Sequence, residues 1–372
     1  MKILIAPDKF KGSLSAIEVC EAIAAGIKSI RPDCEIISVP MADGGDGFSA
    51  LVQFYRFTET VECNTVDPLR RPLQASYQWD KKTNTAIIEL AEASGLVLLK
   101  NFERNPMLTS TYGTGLLIKD AIRKGASKII LGIGGSATND GGTGILEALG
   151  FRFIDHSGNQ LQANGEHLRA ISTVEAGRLP DISFEIACDV QNVLCGPAGA
   201  SAVYAPQKGA GKEQVQLLDD GLKNLADVLY RQTKKEIADI PGSGAAGGIA
   251  VSIMSFFPAE LKQGIDMIVD ISGIKDLLDH SDLVITGEGR IDRQSLAGKV
   301  VARIANLAIE RNIPAIALCG KLDLNATEIQ ETGLYAAYAI GENISVKESI
   351  EHASSLLTEK AKQVVGTFFR KS

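Results

Sequence analysis

Apolar and polar residues alternate near the start of the chain in a way that predicts a β-α-β-α segment. Residues 2–6 form a short apolar run followed by turn-forming residues, which is typical of a buried parallel strand. Ser15 and Glu18 have the spacing of a helix capping box, and an apolar stripe with helical period follows them. A second strand is predicted at 35–39 and a second helix at Phe48–Tyr55.

The same alternation returns near the end of the chain. A polar loop is predicted at 287–292, directly after an apolar strand. The predicted elements here are strands at 283–286, 313–319 and 334–340 and helices at 298–310 and 345–369. Short apolar strands that alternate with helices predict an α/β fold with a doubly wound parallel sheet, a Rossmann-like domain formed by both termini.

The middle of the chain has a different pattern. It predicts antiparallel strands at 58–66, 72–80 and 85–90, a helix at 114–124, strands at 128–131, 151–154 and 184–187, and a long helix at 214–232. We therefore predict a second α/β domain at residues 61–281, inserted into a first domain that consists of residues 1–60 and 282–372.

Composition narrows the function classes. The chain has 372 residues, of which 45% are hydrophobic and 22% charged, as in an ordinary globular protein. Aromatic residues make up 5% of the chain, and 38 Lys and Arg against 45 Asp and Glu give a net charge of −7. An acidic chain with few aromatic residues and no basic block is a poor binder of nucleic acids and of anionic membranes.

Cysteine and histidine spacing argues against disulfide and metal frameworks. The six cysteines include no C-x-x-C pair, and the four histidines are never paired at the spacing of zinc ligands. The longest uncharged stretch, 240–259, contains glycines and prolines that do not suit a membrane span. We expect a cytoplasmic protein with reduced thiols.

Four polar segments follow strands of the predicted Rossmann-like sheet, at 7–13, 43–47, 287–292 and 320–321. Ligands of open parallel sheets bind beyond the carboxyl ends of the strands. Asp and Gly also form turns for purely structural reasons, which is a sufficient explanation for any one of these segments. Four segments that meet at one sheet edge and combine cations with carboxylates favour a binding site.

The densest signal is the segment 132–144, which contains six glycines. Backbone amide groups of such a loop can approach an anion closely, and Ser136 and Thr138 add hydroxyl donors. Residues 132–137, with Asp155 downstream, also match a dinucleotide fingerprint. The residues that follow are poor helix formers, so a nicotinamide-dependent oxidoreductase of a small hydroxy acid ranks second. A non-enzymatic sensor of a nucleotide or sugar phosphate also stays open.

No Walker P-loop and no G-x-S-x-G elbow occur in the sequence. The remaining candidate groups are carboxylates, lysines, an arginine and loops rich in backbone amides. Phosphoryl transfer uses this set, because cations and amides bind phosphate oxygens and carboxylates bind Mg²⁺. Asp189 follows the strand at 184–187, where either a catalytic carboxylate or an Asx turn is expected.

The motifs resemble those of the type 1 glycerate kinase family, the ATP-dependent kinases of D-glycerate. The matching segments follow one another along nearly the whole chain, at 6–15, 41–47, 91–95, 109–115, 134–142, 187–189, 206–209 and 286–292. The resemblance implies a Rossmann-like domain with an inserted α/β domain, and ATP and Mg²⁺ as cofactors. It implies phosphorylation of a glycerate hydroxyl, and we favour 2-phosphoglycerate over 3-phosphoglycerate as the product. Whether the chain forms a homodimer is left open.

Within this interpretation the charged residues receive roles. We expect Arg290 to bind the glycerate carboxylate, because a guanidinium group can hold a carboxylate through two hydrogen bonds. Ser13 and Glu288 are further candidates for substrate binding. Lys9 and Lys11 are expected to neutralise the transferred phosphoryl group.

The remaining candidates are assigned to metal binding, proton transfer and nucleotide binding. Asp43 and Asp46 are expected to hold Mg²⁺, although they could merely shape a glycine turn. Asp189 is the predicted general base, and Asp292 is the competing candidate. The predicted phosphate-binding residues are Gly134, Gly135, Ser136, Ala137, Thr138, Asn139, Asp140 and Gly141.

Overall fold

The computed structural model describes residues 1–43, 48–56, 58–177, 179–293, 295, 299–341 and 344–371. The chain forms two compact units, of which the first consists of Met1–Tyr55 and Gly264–Ser372 and the second of Arg56–Gln263. The sequence placed these boundaries at 60/61 and 281/282. The second boundary lies earlier in the structure because the helices that begin at Gly264 and Ile274 pack within the first unit.

The strands are β1 (Lys2–Ile5), β2 (Glu35–Ser38), β3 (Glu59–Val66), β4 (Pro72–Asp80), β5 (Thr85–Glu89), β6 (Lys128–Gly132), β7 (Arg152–Ile154), β8 (Gln160–Leu161), β9 (Thr173–Glu175), β10 (Ser183–Ala187), β11 (Ala259–Lys262), β12 (Leu283–Ile291), β13 (Ala315–Leu322) and β14 (Ala336–Ala339).

The α-helices are α1 (Ala16–Ile30), α2 (Phe48–Tyr55), α3 (Ala91–Ser94), α4 (Tyr112–Arg123), α5 (Thr143–Ala148), α6 (Ala200–Tyr204), α7 (Lys212–Thr233), α8 (Ile249–Phe256), α9 (Gly264–Ser272), α10 (Ile274–Leu278), α11 (Val300–Ile309), α12 (Ala326–Glu331), α13 (Val346–Glu351) and α14 (Ala353–Lys371). Single 3-10 turns lie at Leu96–Leu98, Asn101–Glu103, Leu168–Ala170, Pro206–Lys208 and Ala245–Gly247. In the part of the chain described, no helix combines the length and apolar character that crossing a membrane requires.

The first unit contains a five-stranded sheet in the order β14-β13-β12-β1-β2, and all of its strand pairs are parallel. Strand β1, which lies between β12 and β2, is fully buried at Ile3, Leu4 and Ile5. Ile3 and Ile5 pack in one apolar core with α1 and α14. The prediction of a parallel sheet formed by both termini is therefore confirmed, including the capping box of Ser15 and Glu18.

The second unit contains a six-stranded sheet in the order β11-β10-β6-β5-β4-β3. The strands β5, β6, β10 and β11 are parallel, whereas β3 and β4 form the antiparallel edge that the sequence predicted. A separate antiparallel sheet has the order β8-β7-β9. Its Phe153 and Val174 join the main core of the unit.

The predicted loop at 287–292 is wrong, because β12 continues through Ile291. Gly287 pairs with Leu318 and Arg290 with Lys321 of β13, so Gly320 and Lys321 also lie within a strand. A Cβ atom at Gly287 would collide with the carbonyl oxygen of Leu318. The polar, glycine-rich sequence resembles a loop, but its glycines allow the two backbones to approach as neighbouring strands.

Helices α1 and α14 pack so closely that one glycine of α1 has no room for a side chain. A Cβ atom at Gly26 of α1 would collide with the Thr358 carbonyl oxygen and lie 3.1 Å from the Ala361 Cβ. In contrast, a Cβ at Gly366 of α14 would meet the Ile30 side chain at an ordinary 3.4 Å. The two helical glycines therefore have opposite tolerance for a methyl group.

We predict that Gly26→Ala lowers the free energy of unfolding by about 1–2 kcal/mol, because the steric cost exceeds the helix propensity of alanine. The matched variant Gly366→Ala should instead raise it by about 0.5–1 kcal/mol. Urea unfolding of both variants, followed by circular dichroism, measures the difference. Equal effects of the two substitutions would contradict the close helix contact.

Candidate active site

A cavity of about 1050 Å³ lies in the first unit beyond the carboxyl ends of its strands. It is lined by residues that follow β1 and β2 and by the last residues of β12 and β13. The structure thus brings together seven of the predicted site residues, which are Lys9, Lys11, Ser13, Asp43, Glu288, Arg290 and Asp292. Asp46 lies outside the described residues.

The turn that carries the two lysines is fixed by its own backbone. Phe10 is only 2% exposed and exchanges backbone hydrogen bonds with Leu14 across the turn. Gly12 has a φ of +81°, which favours glycine, and the Ser13 hydroxyl donates to the Phe10 carbonyl at 3.0 Å. Since the apolar Phe10 anchors the turn in the core, Lys9 and Lys11 are held at the cavity by a defined backbone.

Asp8 is a site residue that the sequence analysis did not single out. Its side chain is 7% exposed, lines the cavity, and accepts the Lys9 amide hydrogen at 2.7 Å. Burial, together with the negative charges of Asp43 and Glu288, raises the pKa of Asp8 to about 7, although hydrogen bonding and charge from Lys9 oppose the shift. Its sequence signal was its place directly after a strand, in the segment from which Lys9, Lys11 and Ser13 were predicted as site residues.

Glu288 is a partly buried carboxyl group of the cavity. Burial raises its pKa above the ordinary value, and the Ser295 hydroxyl and the Lys299 charge oppose this shift. Its Oε1 atom is buried without a hydrogen-bond partner among the described residues. A buried carboxylate oxygen without a donor is costly, so a bound cation or hydroxyl group would stabilise it.

Arg290 and Lys321 are neighbours on β12 and β13, and Asp323 holds both of them. Arg290 Nε lies 2.6 Å from Asp323 Oδ2, and Lys321 Nζ lies 2.9 Å from Asp323 Oδ1. These two contacts lower the pKa of Asp323. Arg290 also lies 3.6 Å from Asp292, and its side chain remains 60% exposed. The guanidinium group is thus oriented by carboxylates yet accessible to an anion in the cavity.

The carboxylates of the cavity suit a shared cation. The negative charges of Asp43 and Glu288 raise the pKa of Asp8, and the charge of Asp43 also raises the pKa of Glu288, so a divalent cation would offset this repulsion. No group of three or more His, Cys, Asp or Glu side chains has metal-binding geometry in the described residues. Mg²⁺ needs no such group, because it is commonly bound by one or two carboxylates together with water and substrate phosphates.

The glycine-rich loop belongs to the second unit, between β6 and α5. Gly134 and Gly135 are exposed, and among the described residues their N–H groups donate no hydrogen bond. Gly135 has a φ of +70°, and a Cβ at Gly134 would meet no neighbour. The other predicted loop residues are buried: Ser136, Ala137, Thr138, Asn139, Asp140 and Gly141.

Asp140 ties the loop to two helices. Its carboxylate accepts hydrogen bonds from the backbone and hydroxyl groups of Thr111 and from the amides of Gly142 and Gly144. Complete burial raises its pKa, and these donors oppose the shift. The loop is therefore fixed internally, while its first two glycines after Ile133 remain open.

Lys208 is the second residue that sequence analysis missed. It lies in the 3-10 turn Pro206–Lys208, is 2% exposed, and its Nζ atom lies 2.6 Å from the Thr138 carbonyl oxygen. The same nitrogen lies 3.5 Å from Ser136 Oγ. Its signal was present in the matching segment 206–209, but a lysine there gives no indication that its amine is buried.

Asp189 is exposed and lies just beyond β10. Because β10 runs parallel to β6, with Ala187 opposite Gly132, Asp189 and the glycine-rich loop lie at the same edge of the second sheet. Asp155, which the dinucleotide interpretation needed, instead accepts the amide hydrogens of Ser157 and Asn159 in the turn between β7 and β8.

The sequence model of the glycerate kinase family matches residues 3–369. The chain belongs to the glycerate kinase family. It is 38% identical to a glycerate kinase of Bacillus subtilis over 99% of this chain and 97% of that protein. It is 39% identical to a glycerate 2-kinase of Escherichia coli over 99% of this chain and 98% of that one.

A crystal structure of a glycerate kinase 2 from Salmonella typhimurium superimposes with a TM-score of 0.89 at 38% identity, covering 100% of this chain and 99% of that one. The resemblance to the glycerate kinase family and the α/β fold are therefore confirmed. Membership of this family makes the chain an enzyme, a kinase with a nucleotide substrate. The oxidoreductase and sensor alternatives are set aside on this ground.

The raised pKa of Asp8 predicts a pH-dependent stability. The folded protein holds the Asp8 proton up to about pH 7, whereas the unfolded chain releases it near its ordinary value of 3.8. Between these values unfolding releases a proton, so the fold loses stability as the pH rises. We predict that Asp8→Asn increases the free energy of unfolding by about 2 kcal/mol more at about pH 8 than at about pH 5.5.

Urea unfolding at the two pH values, without substrate and with a chelator, measures this difference. The exposed Asp276 of the same unit provides the control, since Asp276→Asn should act almost equally at both. An Asp8→Asn effect that does not depend on pH would show that Asp8 is already ionised in the acidic buffer.

Proposed function

We propose that the chain transfers the γ-phosphoryl group of ATP to a hydroxyl group of D-glycerate, with 2-phosphoglycerate rather than 3-phosphoglycerate as product. The observation that carries this proposal is the cavity of the first unit, which is lined by the buried Asp8, the partly buried Glu288 and five cations, namely Lys9, Lys11, Arg290, Lys299 and Lys321. Such a site suits a small hydroxy acid, whose anionic and hydroxyl groups need both cations and acceptors. The name of the Escherichia coli relative supports the choice of the 2-hydroxyl.

Arg290 is the proposed partner of the glycerate carboxylate. Asp323 orients its guanidinium group through Nε, which leaves the remaining nitrogens suited to a carboxylate in the cavity. Ser13 and Glu288 are proposed to bind the hydroxyl groups of the substrate. Lys9 and Lys11 are proposed to offset the charge of the transferred phosphoryl group.

Asp43, together with Asp8, is proposed to hold Mg²⁺. Asp46 is also proposed as a ligand, on the basis of its sequence position. The metal, when bound, neutralises charge on the phosphate oxygens of the nucleotide. Because Asp8 is buried next to Asp43, its proton must leave before the pair can act as ligands.

The segment Gly134–Gly141 is proposed to bind nucleotide phosphate through its backbone. The open amides of Gly134 and Gly135 provide neutral donors that need no side chain between backbone and ligand. Ser136, Ala137, Thr138, Asn139, Asp140 and Gly141 are buried, so their contribution is to hold this conformation.

One assay with two readouts tests the proposed function. ADP release that depends on both D-glycerate and Mg²⁺ would support it, whereas ATP hydrolysis that glycerate does not stimulate would refute it. Carbon NMR of the product distinguishes the two phosphoglycerates. A signal from the 3-phosphate alone would show that the assignment of the hydroxyl is wrong, while leaving the kinase activity itself intact.

We predict that Arg290→Lys raises the KM for glycerate by about tenfold or more and leaves the KM for ATP within about twofold, because a lysine cannot make two parallel hydrogen bonds to a carboxylate. Steady-state kinetics with each substrate varied in turn measures this. Arg293→Lys is the matched control, since Arg293 pairs with Glu328 on the surface and does not line the cavity. An unchanged glycerate KM in Arg290→Lys would remove Arg290 from substrate binding.

Asp189 is proposed as the general base that accepts the proton of the substrate hydroxyl, with Asp292 as the competing candidate. We predict that Asp189→Asn lowers kcat by about 10²–10⁴-fold while ATP still binds, because asparagine has nearly the same shape but cannot accept the proton. Asp292→Asn is measured beside it, with circular dichroism to show that each variant is folded. Near-normal kcat in Asp189→Asn and loss of activity in Asp292→Asn would move the role to Asp292.

A further inference from the structure

The glycine-rich loop of the second unit rests on a buried lysine that the proposed reaction does not use. Lys208 reaches the loop from the 3-10 turn Pro206–Lys208, which Gly209 ends with a φ of +99°. Its Nζ atom lies 2.6 Å from the Thr138 carbonyl oxygen and 3.5 Å from Ser136 Oγ. These contacts fix the part of the loop that directly follows the two exposed glycines.

The loop is also constrained from a second side. Gly247 comes so close to Thr138 and Asn139 that a Cβ atom would collide with their backbone, and the Gly141 amide donates to the Gly247 carbonyl at 2.9 Å. The buried residues of the loop therefore have little freedom to move. Gly134 and Gly135 remain exposed, with amides that donate to no described residue.

A structural role alone explains Lys208 poorly. Burial of an ammonium group is expensive, and buried charges can often be replaced by apolar residues of similar volume without loss of stability. Burial lowers the pKa of Lys208 to about 7, and the negative charge of Asp140 opposes this shift. A phosphate bound at the open amides would favour the charged form of the amine, because the interaction would pass through a protein interior of low dielectric constant.

We propose that Lys208 is a positioning residue for the nucleotide, which holds the loop with the Gly134 and Gly135 amides exposed and whose positive charge strengthens phosphate binding there. This inference rests on the proposed binding of nucleotide phosphate by the same loop. It predicts that loss of the amine weakens ATP binding selectively. Glycerate binding, assigned to the first unit, should be unaffected.

Isothermal titration calorimetry with ATP and Mg²⁺ tests this prediction on the intact chain. Lys208→Met should weaken ATP binding by about tenfold, as expected for loss of a buried charge near an anion, with the KM for glycerate within about twofold. Ser136→Ala, which removes the longer contact, should weaken ATP binding by about two- to fivefold. Lys212→Met, at an exposed lysine of the same unit, is the control and should bind like wild type.

The ratio of the wild-type and Lys208→Met affinities should also depend on pH. Since the amine is charged below about pH 7, the wild-type advantage should be largest in acid and shrink as pH rises, and comparison of the two proteins cancels the titration of ATP itself. Asp140 is the ionisable group whose charge acts on Lys208, and it is present in both proteins.

The possible outcomes separate the two proposals. Wild-type protein that fails to bind ATP would refute the assignment of the loop and, with it, the role of Lys208. Wild-type binding that a folded Lys208→Met variant reproduces would overturn the role of Lys208 alone. Should Lys208→Met fail to fold, unchanged ATP affinity in Ser136→Ala would overturn the role of the contact between Lys208 and Ser136, and weakened affinity would support it.

Discussion

The pairing of β1 with β12 is the contact on which the candidate site depends. It joins residues 280 positions apart, since Ile3 lies beside Leu283 and the Thr286 hydroxyl donates to the Ala6 carbonyl. Because both strands are parallel, their carboxyl ends meet at one edge, and the Asp8 amide donates to the Gly287 carbonyl just beyond the last paired residues. The first and last parts of the chain thus supply one cavity.

This arrangement places groups of opposite charge where each alters the other. Burial and the negative charges of Asp43 and Glu288 favour the protonated form of Asp8. Two of the lining cations, Arg290 and Lys321, are held by Asp323, which does not line the cavity itself. An anion can therefore approach the exposed guanidinium while a cation is attracted to the carboxylates. The local charges, and not the net charge of −7, decide what such a site can bind.

The elements of the fold could be predicted from the sequence because the spacing of hydrophobic residues indicates which face of a helix or strand is buried. The prediction of a loop was wrong at Gly287–Ile291, because a strand there contains glycines and charged residues that pair with β13. It also missed Asp8 and Lys208, because their importance comes from burial, which depends on tertiary neighbours. Sequence could list the charged residues near strand ends, but it could not distinguish a solvated lysine from a buried one.

Asp140 and Lys208 show why burial alone does not reveal function. Both side chains are inaccessible, Asp140 within the glycine-rich loop and Lys208 packed against it, yet their hydrogen bonding differs. The Asp140 carboxylate accepts hydrogen bonds from Thr111, Gly142 and Gly144, which compensates its burial and gives it a complete structural role. Lys208 has three donors, but its contacts are one close carbonyl oxygen and one distant hydroxyl. A buried group whose hydrogen bonds remain incomplete is stabilised further when an anion binds nearby, whereas a fully satisfied group gains little.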